Sequence, residues 1–588
     1  MTTNLPAFLP NSLIVKPKET ASASELAALK AVMGVTEVTT ASQSGIQIWK
    51  TSSGNNVEQL ISNNSNNPAI EYMELDYIIT LPAVPTTSPT QVNSGTTTSQ
   101  TTLPNDTEFS KLWGLNNTGQ TGGKPDADID APEAFALVTG TQKKAVGVID
   151  SGIDYNHPDL AANIWTNPGE IPGDNMDNDR NGYTDDVHGW DFANQDKDPM
   201  DDNGHGTHVA GTIAAVGNNN LGVIGVAPNN VLLVPLKFLD KTGSGATSNA
   251  ILALDYATAK GIKITNNSWG SLLPIPSQAL QESIKEFAEN GGLFVAAAGN
   301  SSLNTDLVPS YPASYPNPSI ISVAATDHND KLAYYSNYGK KTVDIAAPGS
   351  EIFSTLPGNQ YGYLSGTSMA SPHVAGAVAL VWSQNPTLTA QEVKNLVLSK
   401  ADTLGLLDAP LWRLDAPRLN VANALAGSTT NNNFNLGPIP LRIASTLSPA
   451  VPANLTKTAK GEAGKDPLTG GPAADTLMLP FAEPSVSAMD PVTNFADSEK
   501  KDLMTPGGVP MKAPSLFSPA AHTAVTTLEK DVMPVFSEEK GVSPVFTQAN
   551  GALAGNQPRG INGDPFRVAA DPYLVGVFEP KPADFSVA

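Results

Sequence analysis

Between residues 106 and 427 short apolar runs alternate with segments of helical spacing, and this alternation constrains the fold more than any other feature of the chain. KAVGVID, VLLVPLKFLD, KITNNSWG, GLFVAAAGN, SIISVAATD and VDIAAPG are continuously apolar and end in small or polar residues. A strand covered on both faces reads this way, because it has no solvent side to mark with polar residues. GTHVAGTIAAVG, SNAILALDYATAKG and SQALQESIKEFAENGG lie between them with apolar residues at helical intervals. We therefore expect an α/β fold, an open and mostly parallel sheet with helices on both faces. In such sheets function collects at the carboxyl ends of the strands.

The flanks differ in character. Residues 1–81 read as a small α+β domain: SLIVK, GIQIWK and YIITL as strands, SASELAALKAVMG and NVEQLISN as helices. Residues 82–105, rich in Pro, Thr, Ser and Gln, have the composition of an exposed, easily cut linker. Residues 428–588 lose all periodicity and are expected to be largely disordered. A chain of 588 residues is long for one domain, at about 150 residues each. Its net charge of -23 argues against nucleic acid as a partner and suits divalent cations. Without cysteine, disulfides and thiolate chemistry are excluded. No signal peptide and no apolar run of about 18 residues is visible, so no membrane span is expected.

Three polar clusters fall where that sheet would place an active site. VIDSGID puts Asp150 at the end of an apolar strand, DDNGHGTHVAGT puts His205 at a helix start, and SGTSMASPHVAGA puts Ser368 at another. A serine hydroxyl is a weak nucleophile until an imidazole takes its proton. A carboxylate must then hold the imidazole in one tautomer and stabilise its cation. A helix N-terminus at Ser368 would add a backbone N–H for a developing oxyanion. Pro372 is expected in the first turn, where a missing N–H is harmless. His208 reads as a hydrogen-bonded core histidine, His373 would point to a different helix face from Ser368, and Asp154 is a weaker competitor to Asp150.

These long signatures, in the order Asp, His, Ser, resemble the subtilisin-like serine proteases (subtilases, peptidase family S8) over roughly 106–427. PNDTEF resembles the start of the thermitase-like, calcium-dependent bacterial branch. The resemblance implies a three-layer α/β/α fold and a serine endopeptidase, a hydrolase of proteins and peptides. By position, AAAGN resembles the oxyanion segment, so Asn300 would donate its side-chain amide. In this family the loss of such a donor costs about 2.7–4 kcal/mol of transition-state stabilisation. Ser268, Trp269 and Gly270 resemble one edge strand of the substrate cleft, and Gly243 and Gly245 the opposite edge. Substrate would lie between them as an added strand. Ser310 stands where the family often has glycine, which implies a slightly shallower pocket.

Structural calcium is implied as well. Asp106, Asp159 and Asn219 match segments that share one calcium site in the family. Asp177, Asp179, Asn181 and Asp185 alternate around Gly182 like an oxygen-ligand loop. His188 stands at its twelfth position, where an EF-hand needs Glu, so a non-helical calcium loop is the better reading. Asp191, Asp196 and Asp198 are a weaker third candidate. The N-terminal domain resembles the family's propeptide, an intramolecular inhibitor and folding aid, with cleavage expected within 81–105. We expect a monomer of bacterial origin, either cytoplasmic or exported without a signal peptide, since VFEPKPADFSVA resembles C-terminal export signals. Two rivals remain open: a non-catalytic calcium-binding scaffold, and a processing protease with one dedicated partner.

Overall fold

A computed structural model describes residues 8–82, 103–140, 142–271, 274–403 and 416–429, together with short strands between 458 and 548. The first seventy-odd of these residues form an antiparallel sheet with two helices: β1 (Phe8–Pro17), α1 (Ala23–Val32), β2 (Val35–Thr40), β3 (Gln47–Thr51), α2 (Val57–Asn64) and β4 (Ile70–Thr80). The strand order is β4-β1-β3-β2. Ser22 and Glu25 close a reciprocal capping box on α1, and Asn56 caps α2, so both helices start where side-chain acceptors meet free N–H groups. Alternation along β1 separates two apolar faces. Leu13 and Val15 join Leu29, Met33, Trp49 and Val57 in the domain's own core, while Ile14 turns toward the larger domain.

That larger domain is built on a seven-stranded parallel sheet. Its strands are β5 (Lys144–Asp150), β6 (Trp190–Asp191), β7 (Val231–Lys237), β9 (Ile264–Asn267), β11 (Leu293–Ala297), β12 (Ile320–Thr326) and β13 (Ile345–Pro348), in the order β13-β12-β11-β9-β5-β7-β6. Side chains on β5 and β11 alternate between two cores: Val146, Val148, Leu293 and Val295 face one side, Ile149, Phe294 and Ala296 the other. Helices α4 (His205–Ala214), α7 (Thr367–Gln384) and α8 (Ala390–Ser399) cover the first face. Helices α5 (Thr247–Ala259) and α6 (Gln278–Glu289) cover the second. The expected fold class is therefore the observed one. Chain order reverses around β5, whose neighbours are β7 and β9, and this opens a crevice at their carboxyl ends.

Two short strands rim that crevice, β8 (Ser244–Ala246) and β10 (Gly270–Ser271), and β4 pairs antiparallel with both. A hairpin of β14 (Ile352–Leu356) and β15 (Gln360–Leu364) leads into α7. Helices α3 (Ala131–Leu137) and α9 (Val421–Thr429) complete the domain, so it runs slightly past residue 427. The expected linker is shorter at both ends. Leu81 and Pro82 are still bonded to the large domain, and Asn105 donates its N–H to Asn218 Oδ1. Residues 446–588 form a separate unit, described only as short strands such as Val532–Val535 paired with Val545–Gln548. Most of the segment expected to be disordered lies outside the described residues. Among the described residues no helix is long and apolar enough to cross a membrane.

Candidate active site

Asp150 is the last residue of β5 and fully buried. Its Oδ1 accepts hydrogen bonds from Nδ1 of His205 at 2.8 Å and from the Ser151 N–H at 2.7 Å. His205 is the first residue of α4, placed there by Gly204, whose φ of 106° would strain any residue with a Cβ. A second carboxylate braces this pair. Asp201 accepts from the Ser151 hydroxyl, the Gly204 N–H, and the Thr207 N–H and hydroxyl, so it ties both ends of the Asp150–His205 unit together. Burial lowers the His205 pKa, but the charge and hydrogen bond of Asp150, with the charge of Asp201, outweigh it and hold the value above normal.

Ser368 is the second residue of α7. Its hydroxyl donates to the Ser268 carbonyl at 3.1 Å, and the Ser268 hydroxyl donates back to the Ser368 carbonyl at 2.8 Å. The second contact corrects the expectation for Pro372. The helix starts at Thr367, so Pro372 sits in its second turn, and the N–H it lacks would have reached the Ser368 carbonyl. The Ser268 hydroxyl satisfies that carbonyl instead. Asn300 is oriented by Thr367, whose N–H and hydroxyl both donate to Asn300 Oδ1 at 2.9 and 2.8 Å. With its oxygen so held, the Asn300 amide points its Nδ2 into the crevice, 3.3 Å from the Pro82 carbonyl.

The crevice thus holds an extended segment of the chain itself. Ile79 lies opposite Gly245 and Thr80 opposite Gly270, while the Leu81 N–H donates to the Gly243 carbonyl at 2.9 Å. The glycines are explained by contact. A Cβ on Gly243 would come within 2.7 Å of Leu81, and one on Gly245 within 2.3 Å of the Phe238 carbonyl. Ser310 Oγ sits 2.9 Å from where a Cβ of Gly299 would stand and 4.0 Å from that of Gly270, between the two walls. Trp269 anchors the Gly270 edge: its ring is buried in the core against Phe238 and Phe294, which leaves only its backbone for the crevice. His208 and His373 are buried, and desolvation pushes their pKa values down to about 3 and about 4. Asp154 serves turns, accepting from Asn156 and Gly358.

This arrangement has known counterparts. Residues 141–437 match the family model "Subtilase family", and residues 2–76 match "Fervidolysin N-terminal prodomain". The chain belongs to the subtilase family. It is 36% identical to Thermophilic serine proteinase of Bacillus sp. (strain AK1) over 64% of this chain and 79% of that one. It is 39% identical to Thermitase of Thermoactinomyces vulgaris, over 47% and 87%, and 41% identical to Subtilisin DY of Bacillus licheniformis, over 44% and 84%. This subtilase is accordingly a serine endopeptidase carrying an N-terminal prodomain.

The acidic residues separate into three groups. Asn219 joins the first: its Nδ2 donates to Asp159 at 2.7 Å, and the N–H groups of Asn218 and Asn219 donate to Asp106. Burial, helped by the charge of Asp159, raises the Asp106 pKa. In the second, oxygens of Glu170, Asp177 and Asp179 converge within 4.8 Å. Glu170 was missed in the sequence because it precedes the alternating run. Its Oε2 is buried and has no partner. Asn181 and Asp185 are turned elsewhere: Asn181 binds the Tyr183 N–H and Asp186, and Asp185 binds Lys197 and two backbone N–H groups. In the third, Asp191, Asp196 and Asp198 each cap a separate turn, and among the described residues they form no convergent cluster.

Proposed function

We propose that this subtilase cuts peptide bonds with Ser368 as nucleophile, His205 as base and then acid, and Asp150 as the group that orients the imidazole. Ser368 Oγ attacks the carbonyl carbon and its proton passes to His205 Nε2. Asn300 Nδ2 and the Ser368 N–H bind the oxyanion. The C–N bond breaks as His205 returns the proton to the leaving amine. Water, deprotonated by His205, then hydrolyses the ester. The observation that carries this reading is the 2.8 Å bond between Asp150 and His205, with Asn300 aimed at a carbonyl in the same crevice. Substrates bind extended between Gly243–Gly245 and Ser268–Gly270, which favours unfolded protein segments. Large apolar side chains before the cut suit the pocket, with its depth limited by Ser310.

Calcium would be held by two of the acidic groups: Asp106, Asp159 and Asn219, and Glu170, Asp177 and Asp179. Oxygen-only donor sets and the unpartnered Glu170 oxygen fit a hard cation. Bound there, calcium would offset like charges and tether surface loops. The prodomain acts as the enzyme's own inhibitor. The test of the catalytic roles is hydrolysis of unfolded casein by the matured enzyme. Ser368→Ala, His205→Ala and Asp150→Asn should each lose on the order of 10⁴–10⁶-fold in kcat, the range subtilisin itself shows. Full activity in Ser368→Ala would end the assignment.

A further inference from the structure

The segment in the crevice has a feature of its own at the residue whose carbonyl faces Asn300. Along an extended strand, successive N–H groups point to opposite sides. Leu81 uses its N–H on the β8 side, toward Gly243. The residue after it must therefore direct its nitrogen to the other side, the β10 edge. The register agrees: Ile79 faces Ser271 and Thr80 faces Gly270, so residue 82 falls opposite Ser268. The N–H of Ser271 is used by Tyr311, which leaves the exchange with β4 to Gly270 and, two residues back, to Ser268. The Ser268 carbonyl is thus the natural acceptor for an N–H at position 82. Position 82 is proline and has none.

That carbonyl is nonetheless satisfied, because the Ser368 hydroxyl donates to it. A hydroxyl carries one proton, so Ser368 cannot at the same time donate to His205. Among the described residues no hydrogen bond joins Ser368 Oγ to His205. We propose that Pro82 is a latch: by offering no N–H it leaves the Ser268 carbonyl free to hold the nucleophile's hydroxyl away from His205. The zymogen then makes its first cut, at the peptide bond on the carboxyl side of Pro82, slowly. The inference rests on the catalytic roles proposed above and adds what sets the rate of maturation. A residue with an N–H at position 82 would occupy the Ser268 carbonyl, release the hydroxyl to His205 and tighten the scissile segment in one change.

The full-length chain and its Pro82→Ala variant, each followed by intact mass over time, test this. Pro82→Ala should release residues 1–82 at least about ten-fold faster than wild type, the worth of roughly one hydrogen bond. Equal or slower release, or a first cut at another bond in both chains, would overturn the latch. A second measurement separates the missing N–H from the proline ring. The matured enzyme is given Ile-Thr-Leu-X anilides in which X is alanine, N-methylalanine or proline. N-methylalanine should be cut about as slowly as proline; if it is cut as fast as alanine, the missing N–H is not the cause. If alanine anilide and casein both resist the matured enzyme, the protease roles themselves fail and the latch fails with them.

Discussion

Asp201 braces the Asp150–His205 pair through its neighbours. Through Ser151, Gly204 and Thr207 it joins the strand end that carries Asp150 to the helix start that carries His205. Its charge also raises the His205 pKa. His205 acts as a base only when neutral, so kcat/KM should rise with pH through an apparent pKa above the ordinary value of about 6.5. Asp201→Asn removes a negative charge, disfavours the imidazolium and should move that limb to lower pH. A pH profile of kcat/KM checks this, and an unmoved limb would leave Asp201 a purely structural brace. Asp150, His205 and Ser368 were legible as candidates because each stands inside a long signature, and Asn300 through the short segment AAAGN. Asp201 lies inside the His205 signature, yet one sequence gives no reason to choose it over Asp202. The burial of the Trp269 ring was not legible, because adjacent residues in an extended segment face opposite ways, and only packing tells which side is core.

At the scale of elements, the prodomain caps helices of the enzyme. Asp76, inside β4, accepts the N–H and hydroxyl of Ser248 in the first turn of α5, and Glu74 accepts the Gln278 N–H and the Ser277 hydroxyl at the start of α6. Asp255, in the middle of α5, accepts N–H groups from the prodomain turn at Ser42 and Gln43. Burial pushes the Glu74 pKa up to about 7, against the lowering effect of its hydrogen bonds. Released, Glu74 should return to the ordinary carboxylate range near 4.3. The docked form therefore binds the proton more tightly, and docking is strongest below that range. Inhibition by the released prodomain should weaken as pH rises to about 7 and then level off, and Glu74→Gln should flatten that dependence. Inhibition constants measured across pH decide it; a wild-type profile already flat would refute it. The main strands and helices were legible from periodicity. β2 was not, because VTEVTT is mostly exposed and carries no apolar stripe. β8 and β10 are too short to leave a pattern and exist as strands through pairing with β4.

At the scale of the whole molecule, two bodies with separate cores share one sheet, because β4 runs from the prodomain into the crevice of the enzyme. On the function proposed above, inhibition and substrate binding would use the same backbone edges, with β4 held between them by helix caps. The acidic loops belong to this scale too, since Asp106, Asp159 and Asn219 tie the segment around residue 106 to the body of the enzyme. Chelating calcium should lower the melting temperature of the matured enzyme, and Glu170→Gln with Asp177→Asn should remove part of that drop. An unchanged melting curve with chelator would exclude structural calcium. The proposed function stands or falls with Ser368, activated by His205 and Asp150, as the nucleophile. Its most direct test is peptide mapping of the matured enzyme after treatment with a serine-reactive diphenyl phosphonate. A single adduct on the peptide carrying Ser368, absent in Ser368→Ala and in His205→Ala, is the result expected. No adduct, or one on a different residue, would contradict it.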